Sequence, residues 1–542
     1  MDTEAINRLI ENMSIDELLG QLLCYSYSEK WTDEEFSDIV KRTKPGGIFI
    51  KGAAPDTIKK IVDIANKEMR IPIIVSADVE NGPGCAISGE AMLPFPMAWG
   101  ACDDEELIEK AGEATAAIAR KCGIHWTFAP DVDLSINPNN PENNIRAVSD
   151  SPKQVVKIAG AYLRGLQKNN VMMACCKHFP GNGADDRNSH FCTVVNPLSK
   201  EEWMKTYGYV YKELIAEGVS SIMPAHTAFP AYDDEKIDEI IGYKSATFSK
   251  KILTGLLKQE LGFDGCIVSD ALSMIGACAM FPEAKLVPEF IKAGGDMALF
   301  TQPSDFDRLK EAYEAGELSI ERIKDAVFRI LTLKERARIF DDNKLREEDI
   351  EIKYDINAIA DEIGDKSIKF VRNAKGILPV KLEKGDKVLV VNIQKLENER
   401  TKLPMIRYLD EFENQLRERG LEVEVLTNPG HIEVKEKMQG AKTVFVNCKV
   451  GVHDYLGGSL RVAWANIMTF WRGFLLEHPC VVFTSFGDPY KLYEFPYLYT
   501  YVNAFSSSEA SQRGAVRVLL GEKPMVAKNP VNFKGFFERE VD

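Results

Sequence analysis

The residues able to do chemistry gather in one stretch of the chain. Residues 176–190 read CKHFPGNGADDRNSH: a Lys177-His178 pair, then Pro180, Gly181 and Gly183, then His190. The proline and glycines impose an irregular loop directly after an apolar run, and such a loop can carry His190 back toward the end of that run. The chain has seven histidines, and His178, His190 and His226 all lie in this region. An imidazole titrates near neutrality, so it can protonate a leaving group and later take a proton from water. Carboxylates recur where other apolar runs end: Asp78 and Glu80, then Asp131 and Asp133, then Asp270 after CIVS. A carboxylate there can attack an electrophilic carbon or accept from hydroxyls. For any one of these groups a solvated loop position is the plainer role, and for Asp270 a helix cap before Ala271-Leu272-Ser273. Polar groups at five successive run ends point instead to a shared site.

The elements that must position these groups are short apolar runs at 22–27, 47–50, 73–77, 125–129, 172–176, 220–223, 266–269 and 297–300. They are almost continuously apolar, as parallel strands covered on both faces are. Amphipathic stretches at 104–122, 152–168, 200–217 and 249–261 predict helices between them, and Ser14-Ile15-Asp16-Glu17 reads as a capping box opening the first helix. Eight strands alternating with helices predict an α/β fold with a (β/α)₈ TIM barrel over 1–345, its reactive residues at the carboxyl ends of the strands. A doubly wound open sheet is the competing architecture. Residues 346–385 read as a connector. A second α/β pattern over 386–542 has strands predicted at 387–393, 422–426, 443–447, 480–485 and 499–504, and helical stretches at 405–419 and 461–477. It predicts a smaller three-layer α/β/α sandwich.

Composition narrows the function. A chain of 542 residues exceeds one domain, and 45% hydrophobic with 27% charged residues is ordinary globular usage. Sixty-seven basic against 82 acidic side chains leave a formal charge of −15, which disfavours a nucleic-acid partner. No apolar run is long enough to span a membrane. The acidic, amphipathic start is unlike a secretory leader, so a cytoplasmic location is expected. The 11 cysteines, without a zinc-type pair, read as reduced thiols. No metal or cofactor motif is seen, Gly181–Gly183 being too short for a nucleotide fingerprint. No oligomeric state follows.

KHFPGNG…SH, with LGFDGCIVSDALSM, resembles glycoside hydrolase family 3 in its β-N-acetylglucosaminidase (β-hexosaminidase) branch. IPIIVSADVENG, FAPDVDLSINPNNPENNIRAVSDSP, ATFSKKILTGLLKQELGF, FGDPYKLYEFP and VLLGEKPMVAKNPV extend the resemblance along most of the chain. It implies a barrel followed by a sandwich, and a retaining exo-β-glycosidase acting on a carbohydrate, a terminal β-N-acetylglucosaminide. It implies Asp270 as nucleophile and His190 as general acid/base. Asp78, Arg146, Lys177 and His178 would hold the sugar hydroxyls, and Met274 would line the sugar pocket, with core packing as its alternative. Asp133 matches a loop-supporting position.

Three positions depart from the family pattern. Asn188 stands where an aspartate partners the histidine; an amide lacks the charge and can favour the wrong tautomer, at a cost of several orders of magnitude by analogy with other dyads. Asp185 and Asp186 are near enough in sequence to substitute. Asn182 replaces a histidine, and Asn81 a glycine, with Gly82 beside it still able to turn. Alternatives are a β-N-acetylglucosaminide phosphorylase, a β-glucosidase of the same family, whose branch draws its acid/base glutamate from the second domain, and a non-catalytic sugar-binding homologue.

Overall fold

The computed structural model describes residues 2–395, 409–450, 460–462, 466 and 468–542. Two compact units emerge. One comprises Met1–Ala91, Ile108–Asp133 and Ala159–Asp355; the other comprises Met92–Leu107, Leu134–Ile158 and Ile356–Asp542.

The first unit carries strands β1 Leu23–Ser26, β2 Gly47–Phe49, β3 Ile74–Ala77, β4 Trp126–Thr127, β5 Cys175–Phe179, β6 Val194–Val195, β7 Ser221–Pro224, β8 Thr227–Ala228, β9 Lys236–Asp238, β10 Gly242–Tyr243, β11 Cys266–Ile267 and β12 Ala298–Thr301. One sheet has the order β12-β1-β2-β3-β4 and a second the order β11-β7-β5, all parallel. Single parallel bridges, Trp126 with Met173 and Val268 with Met297, link the margins of one sheet to those of the other. Two small ladders, β6 with β8 and β9 with β10, were not expected from the sequence.

Each apolar run read as a strand overlaps one. The main displacement is at β5, which begins later than expected and takes Lys177 and His178 into the strand, whereas the sequence places them beyond its end. The ladder continues because Lys177 N donates to Pro130 O at 3.3 Å and Val132 N donates to Lys177 O at 2.8 Å. The Ser14–Glu17 box does cap a helix, Ile15–Gln21, but it is the second one, after Thr3–Glu11. The helix expected over 200–217 breaks at Thr206, and that over 249–261 is a π-helix, Lys251–Glu260.

A buried amine closes the amino-terminal side of this unit. Lys334 Nζ donates to Gln21 Oε1 at 2.6 Å and to Pro72 O at 2.7 Å, both uncharged acceptors. Burial pushes its pKa down to about 7. Between that value and the ordinary lysine range the unfolded chain binds a proton that the folded chain does not, so stability rises with pH. The buried thiols of Cys24 and Cys175, pushed up to about 12 by burial, act the other way once free thiols ionise, above roughly pH 8.5. The unfolding free energy from urea titration is therefore expected to rise from pH 7 to about 8.5, by at most ~1.4 kcal/mol per pH unit from this group. Lys334→Met should flatten that slope, and an unchanged slope would assign it elsewhere.

The second unit carries β13 Lys369–Asn373, β14 Lys387–Gln394, β15 Glu422–Thr427, β16 Thr443–Lys449, β17 Val481–Ser485 and β18 Thr500–Asn503, ordered β13-β18-β17-β16-β14-β15. β13 runs antiparallel to β18; the other pairs are parallel. Leu389, Val391 and Ile393 of β14 enter one apolar core while Val388 and Val390 enter another, so both faces of the sheet are covered and the strand reads as unbroken hydrophobicity. Of the helical stretches at 405–419 and 461–477, the structure shows Asp410–Glu418, Met468–Gly473 and Phe474–Glu477. Residues 405–408, 463–465 and 467 lie outside those described.

All 11 cysteines are free thiols. Among the described residues no helix is long and apolar enough to cross a membrane.

Candidate active site

The carboxyl ends of the first unit's strands collect charged groups that are mostly buried and paired. Asp133, fully buried, accepts from the imidazole Nδ1 of His178 at 2.7 Å and from its backbone N–H at 3.2 Å. Its other oxygen accepts from Asn182 N at 2.6 Å. A carboxylate at that distance fixes the ring proton on Nδ1 and so sets the role of Nε2. Asn182, where the family pattern has a histidine, serves here through its main chain. Asp131, Asp133 and His178 offer ligand atoms within 4.8 Å of one another, the set that could hold a cation. Their existing bonds show what they do without one: Asp131 Oδ1 accepts from Asp133 N at 2.9 Å, and Asp133 orients the imidazole.

Lys177, on the same strand, places Nζ 2.6 Å from Glu80 Oε1 and 3.1 Å from Asp78 Oδ1. Glu80 is the shielded partner, and Asp78, 40% exposed at its side chain, is the one open to solvent. Charge-assisted contacts of this length hold an ammonium in one place.

Asp270 follows β11. Burial works against its charge; the imidazoles of His226 and His178, the Ala271 N–H at 2.7 Å and the Lys177 ammonium outweigh burial and hold the carboxyl below the usual carboxylate range. His226 is fully buried, with Nε2 donating to Ala271 O at 2.9 Å and Nδ1 2.9 Å from the Thr247 hydroxyl. It therefore ties β7 to the turn that carries Asp270.

His190 reaches the same turn by main-chain bonds. Ile275 N donates to His190 O at 3.3 Å and Gly276 N to Ser189 O at 3.1 Å. The loop between can fold this tightly because Gly181 has φ +117°, and a Cβ there would strike the Tyr207 ring. Asn188, buried, accepts from both the backbone N–H and the ring Nδ1 of His190, at 2.9 and 2.8 Å, through one atom, Oδ1. An amide NH₂ cannot accept from a backbone N–H, so the amide orientation follows from the geometry. In this arrangement the imidazole proton sits on Nδ1, the tautomer an aspartate would also favour; the charge of an aspartate is what Asn188 does not supply. Asp185 in the same loop accepts from Arg187, at 2.6 and 2.9 Å, and from Val195 N at 2.8 Å.

Gly276 has no room for a side chain. A Cβ there would lie 2.7 Å from Ser189 O, 3.0 Å from His226 Cβ and 3.1 Å from Cys192 O. Gly276→Ala is expected to displace the loop bearing His190 and lower kcat about 10- to 100-fold with the far-ultraviolet spectrum unchanged. A kcat within twofold of wild type would show that this contact does not set the geometry.

Met274 is buried and leads into the short helix Ile275–Cys278. Arg146 belongs to the second unit, at the end of the turn Asn144–Arg146, where its Nη1 donates to Glu142 O at 3.3 Å. Gly82 has φ +94°, and Asn81 beside it accepts from Cys85 Sγ at 2.9 Å, so the turn survives the change from glycine. The structure adds Glu80 and His226 to the groups that position this site; recurrence of polar residues at strand ends was the only sequence signal for either.

The model of the glycosyl hydrolase family 3 N-terminal domain matches residues 14–333, more than half of the chain. A β-N-acetylglucosaminidase/β-glucosidase of Cellulomonas fimi is 28% identical over 544 residues, spanning 97% of this chain and 95% of its own. β-Hexosaminidase A of Pseudoalteromonas piscicida is 29% identical over 328 residues, 55% of each chain. Among solved structures, the β-glucoside phosphorylase BglX bound to 2FGlc superposes with a TM-score of 0.87 at 29% identity, covering 98% of this chain and 96% of that one. A family 3 β-N-acetylglucosaminidase from Paenibacillus sp. str. FPU-7 superposes with a TM-score of 0.82 at 25% identity, covering 96% and 99%. With buried, oriented imidazole, ammonium and carboxylate groups at the strand ends and this match over both halves, the chain belongs to glycosyl hydrolase family 3 and is an enzyme of the glycoside hydrolase class.

Proposed function

We propose that the protein is a retaining exo-β-glycosidase that removes terminal β-linked N-acetylglucosamine. Asp270 attacks the anomeric carbon as His190 Nε2–H protonates the departing oxygen, leaving a glycosyl ester on Asp270. His190, now neutral, takes a proton from water as the water cleaves that ester. Asp78, Lys177, His178 and Arg146 hold the sugar hydroxyls, and Met274 borders the sugar. The observation that carries this reading is the pair of main-chain bonds joining Ser189 and His190 to Ile275 and Gly276, just beyond Asp270. The strand order with its two marginal bridges supports a closed (β/α)₈ barrel as the platform, and the sheet covered on both faces supports a three-layer sandwich as its companion. Eleven free thiols suit a reducing, cytoplasmic setting.

A second reading, phosphorolysis, has an observation of its own: the partner of His190 is the neutral amide of Asn188, which does not repel an incoming phosphate. The test is turnover of an aryl β-N-acetylglucosaminide with and without inorganic phosphate. Release of free sugar at a phosphate-independent rate supports hydrolysis. A sugar 1-phosphate product assigns the second reading, and absence of any turnover would sink both.

A further inference from the structure

The amino-terminal ends of β3 and β4 border a cavity of about 270 Å³, at the end of the first unit opposite to Asp78, Lys177 and Asp270. Pro72 and Ile73, which lead into β3, and His125, which leads into β4, line it. So do five cationic side chains, Lys59, Arg120, Lys121, Arg338 and Lys344, against two carboxylates, Asp63 and Glu347. Glu347 is already engaged by Lys59 at 2.9 Å. In a chain of net charge −15 this is a local reversal of sign.

Arg120 is the group hardest to explain as mere surface charge. It is 5% exposed, and its guanidinium donates to Ala337 O at 2.7 Å, Arg338 O at 3.1 Å and Val171 O at 3.2 Å. These partners are carbonyls, which orient the cation without neutralising it. The guanidinium carries five N–H donors, more than these bonds use. Burial and the neighbouring Arg338 lower its pKa to about 10, and burial with the charges of Arg120 and Lys344 keeps His125 uncharged. A second basic cavity in the same unit shows the contrast. There the fully buried Asp296 receives Arg322 at 2.7 Å and Lys258 and Arg329 at 3.3 Å, so the cluster has its own counter-charge. Around Arg120 the hydrogen-bond partners among the described residues are all carbonyls, and the five cations of the cavity outnumber its two carboxylates.

We propose that this cavity is a binding site for a phosphate oxyanion, carried by inorganic phosphate or by a small phosphomonoester. A guanidinium fixed by backbone carbonyls, with lysine ammoniums at the rim, is the donor set that recognises such a group. At about 270 Å³ the cavity lies just below the range of drug-sized ligand sites, which suits an anion or a small ester. It is separate from the reacting groups, which lie beyond the other ends of the same strands.

The proposal is tested by calorimetric titration of inorganic phosphate, and separately of glucose 6-phosphate, at an ionic strength matched with potassium chloride. The proteins are wild type, Lys121→Glu/Lys344→Glu and Asp270→Asn. Lys344 is exposed and Lys121 half-buried, so the double variant is expected to fold and to keep wild-type turnover of the aryl glycoside. Expected are saturable binding to wild type, a Kd within twofold in Asp270→Asn, and binding at least tenfold weaker in the double variant. Tighter binding of glucose 6-phosphate assigns an ester, and tighter or equal binding of phosphate assigns the free anion. Wild-type protein that binds neither, a double variant that binds as wild type does, or loss of binding in Asp270→Asn would each overturn it.

Discussion

Asp270→Asn is expected to lower turnover of an aryl β-N-acetylglucosaminide on the order of 10⁴- to 10⁶-fold. The amide is isosteric and can still accept from Ala271 N, so the turn it sits on keeps its shape. What it loses is a lone pair able to form the glycosyl ester and the charge that balances His226, His178 and Lys177. Because burial opposes an uncompensated charge, the melting temperature should fall as well, and a parallel circular dichroism measurement separates unfolded protein from inactive protein. Intact-mass analysis with a 2-fluoro glycoside should show one added sugar on the wild type and none on the variant. A variant that still accumulates the adduct would move the nucleophile elsewhere. The depressed pKa of Asp270 also fixes a pH signature: the carboxylate stays ionised through mildly acidic solution, so its contribution to the acid limb of kcat/KM falls below the usual carboxylate range.

The second large effect belongs to His190. His190→Gln should lower kcat roughly 10²- to 10⁴-fold on substrates with poor leaving groups and much less on a dinitrophenyl glycoside, whose oxygen needs no proton. Equal losses on both would deny the acid role. Asn188 gives the finer test. Since its Oδ1 already holds the ring proton on Nδ1, Asn188→Asp changes charge and not tautomer. A charge-assisted bond is about twice as strong as a neutral one, so hydrolysis should rise about tenfold. Any phosphate-dependent rate should fall, because the new carboxylate repels the anion. Asn188→Ala removes the acceptor and should cost more than tenfold. An Asn188→Asp variant no faster than wild type would show that the charge is not limiting.

Much of this architecture could be read in advance, for a physical reason. Strands buried on both faces need apolar side chains at almost every position, so β1, β2, β3 and β12 of the first unit, and β14, β16 and β17 of the second, stand out as nearly unbroken runs, whereas the edge strand β15 alternates Glu and Val. The same logic misplaced β5, because a buried ion pair lets Lys177 and His178 sit inside a strand that a hydrophobic pattern ends at Cys176. Short ladders such as β6 with β8 depend on loops that meet only in space and leave no periodicity. In the candidate site, residue types and motifs single out Asp270, His190, Asp78, Lys177 and His178 in the sequence. Glu80, Asp133 and His226 show in the sequence only as polar groups at strand ends, Asp133 also as a loop-supporting match; their pairings with Lys177, His178 and the Asp270 turn do not, because they span 45 residues or more. Nor could one sequence tell which atom of Asn188 would face His190; that needed the backbone N–H which the same oxygen accepts.

The bonds between Ile275 and His190 and between Gly276 and Ser189 run from main chain to main chain. Any residue but proline supplies the same N–H, and any residue the same carbonyl. Selection can therefore rewrite the side chain at position 188, exchanging an acid for an amide, without unfastening the loop from the turn it rests on. Gly276 is the one point of the seam where a side chain is forbidden. The seam leaves chemical identity at 188 open to change while the main-chain spacing between loop and turn stays fixed.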